Sequence, residues 1–136
     1  MRPTNSPIAL SAWEAPEMAK SLLIICRQAP WSGPGAREAL DIALAGGAFD
    51  LPLGILFLDD GVFQLVPAQQ PNAVQQKDLN ANLRALPLFG VEALYASARS
   101  LEERGLNAQA LSPTTENLDD AALTVLIAQY DQVITL

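Results

Sequence analysis

Two short runs in this chain are apolar at every position instead of at alternate ones. They are LLIIC within SLLIICR (21–27), and LPLGILFL (51–58). Such runs read as strands covered on both faces, which an antiparallel hairpin with one wet face does not provide. Between them lies GPGAREALDIALAGGAF. Pro34 suits an early helical position, Ala36, Leu40, Ala43 and Leu44 share one face, and Gly46–Gly47 give a stop. A strand, a helix and a second buried strand make a parallel crossover unit, because parallel neighbours cannot be joined by a tight turn.

The alternation continues. A short helical segment is predicted in GVFQLVPA, and a longer helix in AVQQKDLNANLRALPLFG, ending near Gly90. VEALYAS (91–97) reads as a strand, ARSLEERGL as a helix stopped at Gly105, and AQALS (108–112) as a short strand. Thr115 or Asn117 is expected to cap a last helix in DDAALTVLIAQY, and DQVITL to form the final strand. The pattern predicts one α/β domain over residues 20–136. It is a three-layer, doubly wound, mainly parallel sheet with helices on both faces, of flavodoxin-like type. Residues 1–19 hold three prolines and small polar residues, and are expected to be a flexible leader. They lack the apolar core of a signal peptide, and no apolar run approaches the roughly 20 residues that span a bilayer. A soluble, cytoplasmic protein is expected.

Composition narrows the chemistry. Eight Lys and Arg against fifteen Asp and Glu give a net charge of −7, with no basic cluster, so direct nucleic-acid binding is disfavoured. There is no histidine, which removes His-based triads, His metal ligands and the usual near-neutral proton shuttle. The single cysteine, Cys26, excludes an intrachain disulfide and sits inside a strand pattern, where burial makes a thiol inert. Asp59 and Asp60 follow the second strand, where acids could hold Mg²⁺ or accept a phosphoryl group. The lysine and second acidic cluster that phosphoryl transfer needs are missing, so capping of the next helix is the preferred reading. SGPGAR opens a helix and could meet a phosphate, yet it matches neither nucleotide-binding glycine motif, and turn geometry explains it. Ser97 ends a strand but lies in no nucleophile elbow and has no base to activate it, so it is expected to cap the following helix. No metal or cofactor is expected. Val62, Phe63 and Leu65 are so dense an apolar run that part of it is expected to meet a partner, although core packing explains it too.

A resemblance starts where the catalytic inventory ends. GAREALD, then ILFLDDGVFQLVPAQQPNAV, then LPLFGVEALYASARSLEERGL and a final YDQVITL resemble the TusC family, the DsrF-type branch of the DsrE/DsrF/DsrH group. The resemblance covers roughly residues 20–136, and DGVFQLVPAQQPNAV is its most specific part; residues 1–19 lie outside it. It implies an accessory subunit of a sulfurtransferase complex, built with TusB- and TusD-type subunits as a heterohexamer. That complex would take persulfide sulfur from TusA and pass it towards TusE, for 2-thiolation of the tRNA wobble uridine. The sulfur-carrying cysteine of the TusD-type subunit corresponds, by position before RGL (104–106), to Ser97 here. Serine forms no persulfide, so the resemblance implies a non-catalytic chain. Two rival readings remain: a direct sulfur carrier using Cys26, and a stand-alone flavodoxin-like module binding a small molecule or phosphate.

Overall fold

The computed structural model describes residues 20–67 and 74–136; the expected leader, 1–19, lies outside the described residues. Five strands form one sheet: β1 (Leu22–Cys26), β2 (Leu53–Phe57), β3 (Ala93–Ser97), β4 (Glu116–Leu118) and β5 (Gln132–Thr135). Every pairing is parallel, and the spatial order is β4-β3-β2-β1-β5. Helices α1 (Gly35–Ala48), α2 (Val74–Ala85), α3 (Ala98–Glu103) and α4 (Asp120–Gln129) alternate with them.

The chain steps outward from β1 to β4, then crosses back to place β5 on the other side of β1. With right-handed crossovers, three steps in one direction put α1, α2 and α3 on one face, and the return step puts α4 on the other. The core divides accordingly. Leu22, Ile24 and Cys26 of β1 point into the larger cluster with Leu40 of α1, Leu83 of α2 and Leu101 of α3. Leu23 and Ile25 point the other way, into a small cluster with Leu56 and Leu123 of α4. All five residues of β1 and all five of β2 are buried, as runs apolar on both faces require.

Three expectations shift. α1 runs through Gly46 and Gly47 and stops at Asp50 (φ 57°), where Leu51 N–H returns to the Gly46 carbonyl at 3.0 Å. AQALS is not a strand: Ala108–Ala110 form a 3₁₀ turn, because the Asn107 side chain accepts from Gln109 N–H, and the fourth strand is Glu116–Leu118. Neither Thr115 nor Asn117 caps α4. Their side chains bond each other, and Asp119 Oδ1 caps the helix by accepting from Ala122 N–H at 2.8 Å.

Candidate functional site

Chemistry in such sheets sits at the carboxyl ends of the strands. β1, β2 and β3 deliver Cys26–Arg27, Leu58–Asp60 and Ser97 to that edge. Behind β2 the chain turns at once into a 3₁₀ helix, Asp59–Leu65. The turn is tight enough that Asp59 adopts φ 53°, left-handed backbone that costs a non-glycine residue about 1 kcal/mol. Its geometry is held from both sides. Asp59 N–H donates to Ser100 Oγ at 2.9 Å, and Arg27 Nε and Nη2 each lie 2.8 Å from Asp59 Oδ2. Ser100 N–H in turn donates to Ser97 Oγ at 3.1 Å, so Ser97 is the N-cap of α3 as expected. Arg104 Nε and Nη2 clasp Asp60 Oδ1, both at 2.9 Å. The structure therefore joins Asp59, Asp60 and Ser97 in one network, but occupies each of them. Neither aspartate caps the 3₁₀ helix through its side chain; both are paired to arginines, which corrects the capping expectation.

The sheet's switch point lies between β3 and β4, whose exits lead to helices on opposite faces. There the two helix N-termini are filled by the chain's own side chains, Ser97 and Asp119, and an Arg99–Asp120 ion pair bridges them. At the other candidate turn, SGPGAR, Gln28 packs over Gly35 so closely that an added Cβ would lie 2.5 Å from its Oε1. The neighbouring cleft, about 370 Å³, is lined by Pro30, Pro34, Arg37, Asp78 and others, with one basic and one acidic group.

The Cys26 side chain makes no hydrogen bond to this network; it is buried on the α1–α3 side of the sheet, 2% exposed. Burial pushes its thiol up to about 12, so the thiol rather than the thiolate is the form held at neutral pH. Among the described residues no group of three or more His, Cys, Asp or Glu is placed to hold a metal.

The apolar run splits. Val62 and Leu65, three apart, share the inner face of the 3₁₀ helix and are fully buried in the chain's own core. That corrects the expectation that they meet a partner: nothing of either side chain remains at the surface. Phe63 turns outward, half-buried, and packs against Trp31 with ring centroids 5.4 Å apart and planes tilted by 46°. Trp31 is 66% exposed. Gln64 anchors the segment from beneath. Its Nε2 donates to the Gln28 carbonyl at 2.9 Å, while Asn80 Nδ2 donates to the Gln64 carbonyl at 3.2 Å and to that of Ser112. Arg27, Ser100, Arg104 and the two buried amides were not singled out from the sequence. Their partners lie 16 to 44 residues away, and no local spacing marks them.

Gly61 explains why this element needs its glycine. Its backbone rests on the Cys26 carbonyl, and a Cβ built there would lie 1.8 Å from that oxygen. The same oxygen accepts from Leu58 N–H at 3.0 Å, so the end of β1 is locked beneath the turn.

The comparisons with known proteins agree with this architecture. The DsrE/DsrF-like family model matches residues 20–136. A curated protein of Pseudomonas aeruginosa, "Protein TusC homolog", is 70% identical over 119 residues, covering 88% of this chain and all of that protein. Among solved structures, the ychN protein from E. coli superposes with a TM-score of 0.72 at 19% identity, over 86% of this chain and 99% of that one, a likeness of fold alone. The chain belongs to the DsrE/DsrF-like family.

Proposed function

We propose that this chain is an accessory, non-catalytic subunit of a cytoplasmic sulfur-relay complex. In this reading it assembles with TusB- and TusD-type subunits into a heterohexamer, which takes sulfur from TusA and passes it to TusE for 2-thiolation of the tRNA wobble uridine. Its kinship with the Pseudomonas TusC homolog supports a place in such a complex. The observation that carries the non-catalytic role is the absence of an accessible sulfur nucleophile among the described residues. The lone thiol is buried and protonated, and at the end of β3 stands Ser97, whose oxygen is spent on capping α3. Thiol exchange needs a thiolate that can reach its partner. Phe63, on Trp31, is the contact residue this reading retains.

The test is reconstitution. The chain is co-expressed with TusB- and TusD-type subunits, and transfer of radiolabelled persulfide sulfur from TusA is followed. Co-purification in equal amounts, and transfer that survives Cys26→Ala, is the expected result. Failure to co-purify refutes membership of the complex. An intact complex in which Cys26→Ala alone abolishes transfer refutes the non-catalytic role and makes Cys26 the carrier.

A further inference from the structure

The free edge of β5 is built to pair. Gln132 N–H donates to the Ser21 carbonyl, Leu136 N–H to that of Ile25, and Arg27 N–H to that of Leu136. In the parallel register that sets Leu22 opposite Gln132, residues 132, 134 and 136 thus turn their backbone groups to β1. Val133 and Thr135 must then turn theirs outward: two N–H and two C=O groups with no strand beside them among the described residues. All four residues of β5 are exposed, and the large apolar side chains sit on both faces. Val133 (41% exposed) is in register with Leu23 on the α4 side, and Ile134 (37%) with Ile24 on the α1 side. Natural edge strands are protected by lysine, proline, a bulge or an inward charge. The side chains of residues 132–136, QVITL, carry no charge, and none is proline. In a chain of net charge −7, this is a stretch where no charged side chain stands at a seam between two copies.

We propose that this edge joins two copies of the chain, β5 against β5 in antiparallel fashion, into one continuous ten-stranded sheet. The edge is complementary to itself. With Val133 opposite Thr135 of the second copy, all the outward groups of both strands pair in four hydrogen bonds. The two-fold axis then passes between the two Ile134 residues. The Ile134 side chains meet on one face, as the close, non-hydrogen-bonded pair of the ladder, while Val133 and Thr135 meet on the other. The inference is independent of the chemistry of the sulfur-relay reading.

The test uses the purified full chain. Sedimentation equilibrium is expected to give twice the 14.5 kDa chain mass at micromolar concentration. Val133→Lys sets a charge at the seam and is expected to weaken the dimer by about tenfold or more. Val133→Pro removes an outward N–H while leaving every bond to β1, and is expected to act likewise. Ile134→Cys is the direct probe, since Cα atoms of a non-hydrogen-bonded pair lie about 4.5 Å apart, within disulfide reach. Mild oxidation is expected to give a covalent dimer, with the buried Cys26 silent. A monomeric wild type, a dimer indifferent to both Val133 variants, or an Ile134→Cys chain that does not cross-link overturns the proposal. So does a dimer formed only after removal of residues 1–19, because the leader would then be the natural occupant of the edge.

Discussion

Replacing Gly61 by alanine isolates one contact. The residue has no positive φ, so alanine fits the local backbone, and losing glycine's freedom in the unfolded chain would stabilise the fold by up to about 1 kcal/mol. Against that stands the added Cβ, at 1.8 Å from the Cys26 carbonyl oxygen, 2.6 Å from its carbon and 3.2 Å from Arg27 N. The obstacle is the backbone at the end of β1, whose carbonyl also holds Leu58 N–H, and no side chain can rotate to relieve it. Overpacking a core costs about 1–3 kcal/mol when neighbours can shift, and occasionally more. Here the cost belongs at or above the top of that range, so a net loss of about 2–3 kcal/mol is expected. Gly105→Ala supplies the contrast. Its φ is 66° and a Cβ would meet nothing within 4 Å, so only backbone strain of about 1 kcal/mol applies. Urea unfolding of both variants, read as a shift in midpoint at constant slope, measures the difference. A Gly61→Ala chain as stable as Gly105→Ala would refute the claim that the turn is seated on the β1 carbonyl.

Ser97→Ala should cost about 1 kcal/mol in the same assay, because it removes the cap of α3; a neutral result would leave the Ser97–Ser100 bond without weight. Asp59→Asn should unfold within about 1 kcal/mol of wild type, since asparagine tolerates positive φ and the Arg27 pair is exposed. A folded, assembled Asp59→Asn complex that has lost sulfur transfer would instead reveal a chemical role for that carboxylate. Phe63→Ala should keep its circular dichroism but lose co-purification with partner subunits; unchanged binding would remove the aromatic pair from the interface. Asp131 accepts from Ser21 N–H and from its hydroxyl, and those bonds hold its carboxyl below the usual carboxylate range. A depressed folded-state pKa contributes stability above the ordinary value near pH 4, lost as pH falls through the lowered one. The stability gap between wild type and Asp131→Asn should therefore close on acidification, and a gap unchanged at low pH would contradict that.

What the sequence disclosed depended on burial. β1, β2 and α1 were legible because both-face apolar runs and a helical stripe leave unmistakable patterns. β4 was misplaced because Glu116–Leu118 is three residues of polar edge with no hydrophobic signal, whereas the more apolar AQALS next to it is a turn. At the site, Ser97's capping role followed from its position before a helix. The arginine partners of Asp59 and Asp60 did not, because pairs 32 and 44 residues apart are made by the sheet's topology. Val62 and Leu65 went inward while Phe63 did not because a three-residue helical repeat sorts them; sequence density alone does not reveal which period applies.

The strand order also bears on synthesis. β1 is the first of the described strands to leave the ribosome, and it pairs on both sides, with β2 and β5. Its second neighbour is the last of the five strands to be made, and Ser21 and Asp131, which close that seam, are 110 residues apart. Until residues 132–135 emerge, the nascent sheet carries the open flank of β1 with Leu23 and Ile24 beside it, a surface suited to chaperones and to misassembly. A ribosome-bound chain displaying residues only up to Asp131 outside the exit tunnel should therefore be protease-sensitive, and one displaying residues through Leu136 should be resistant.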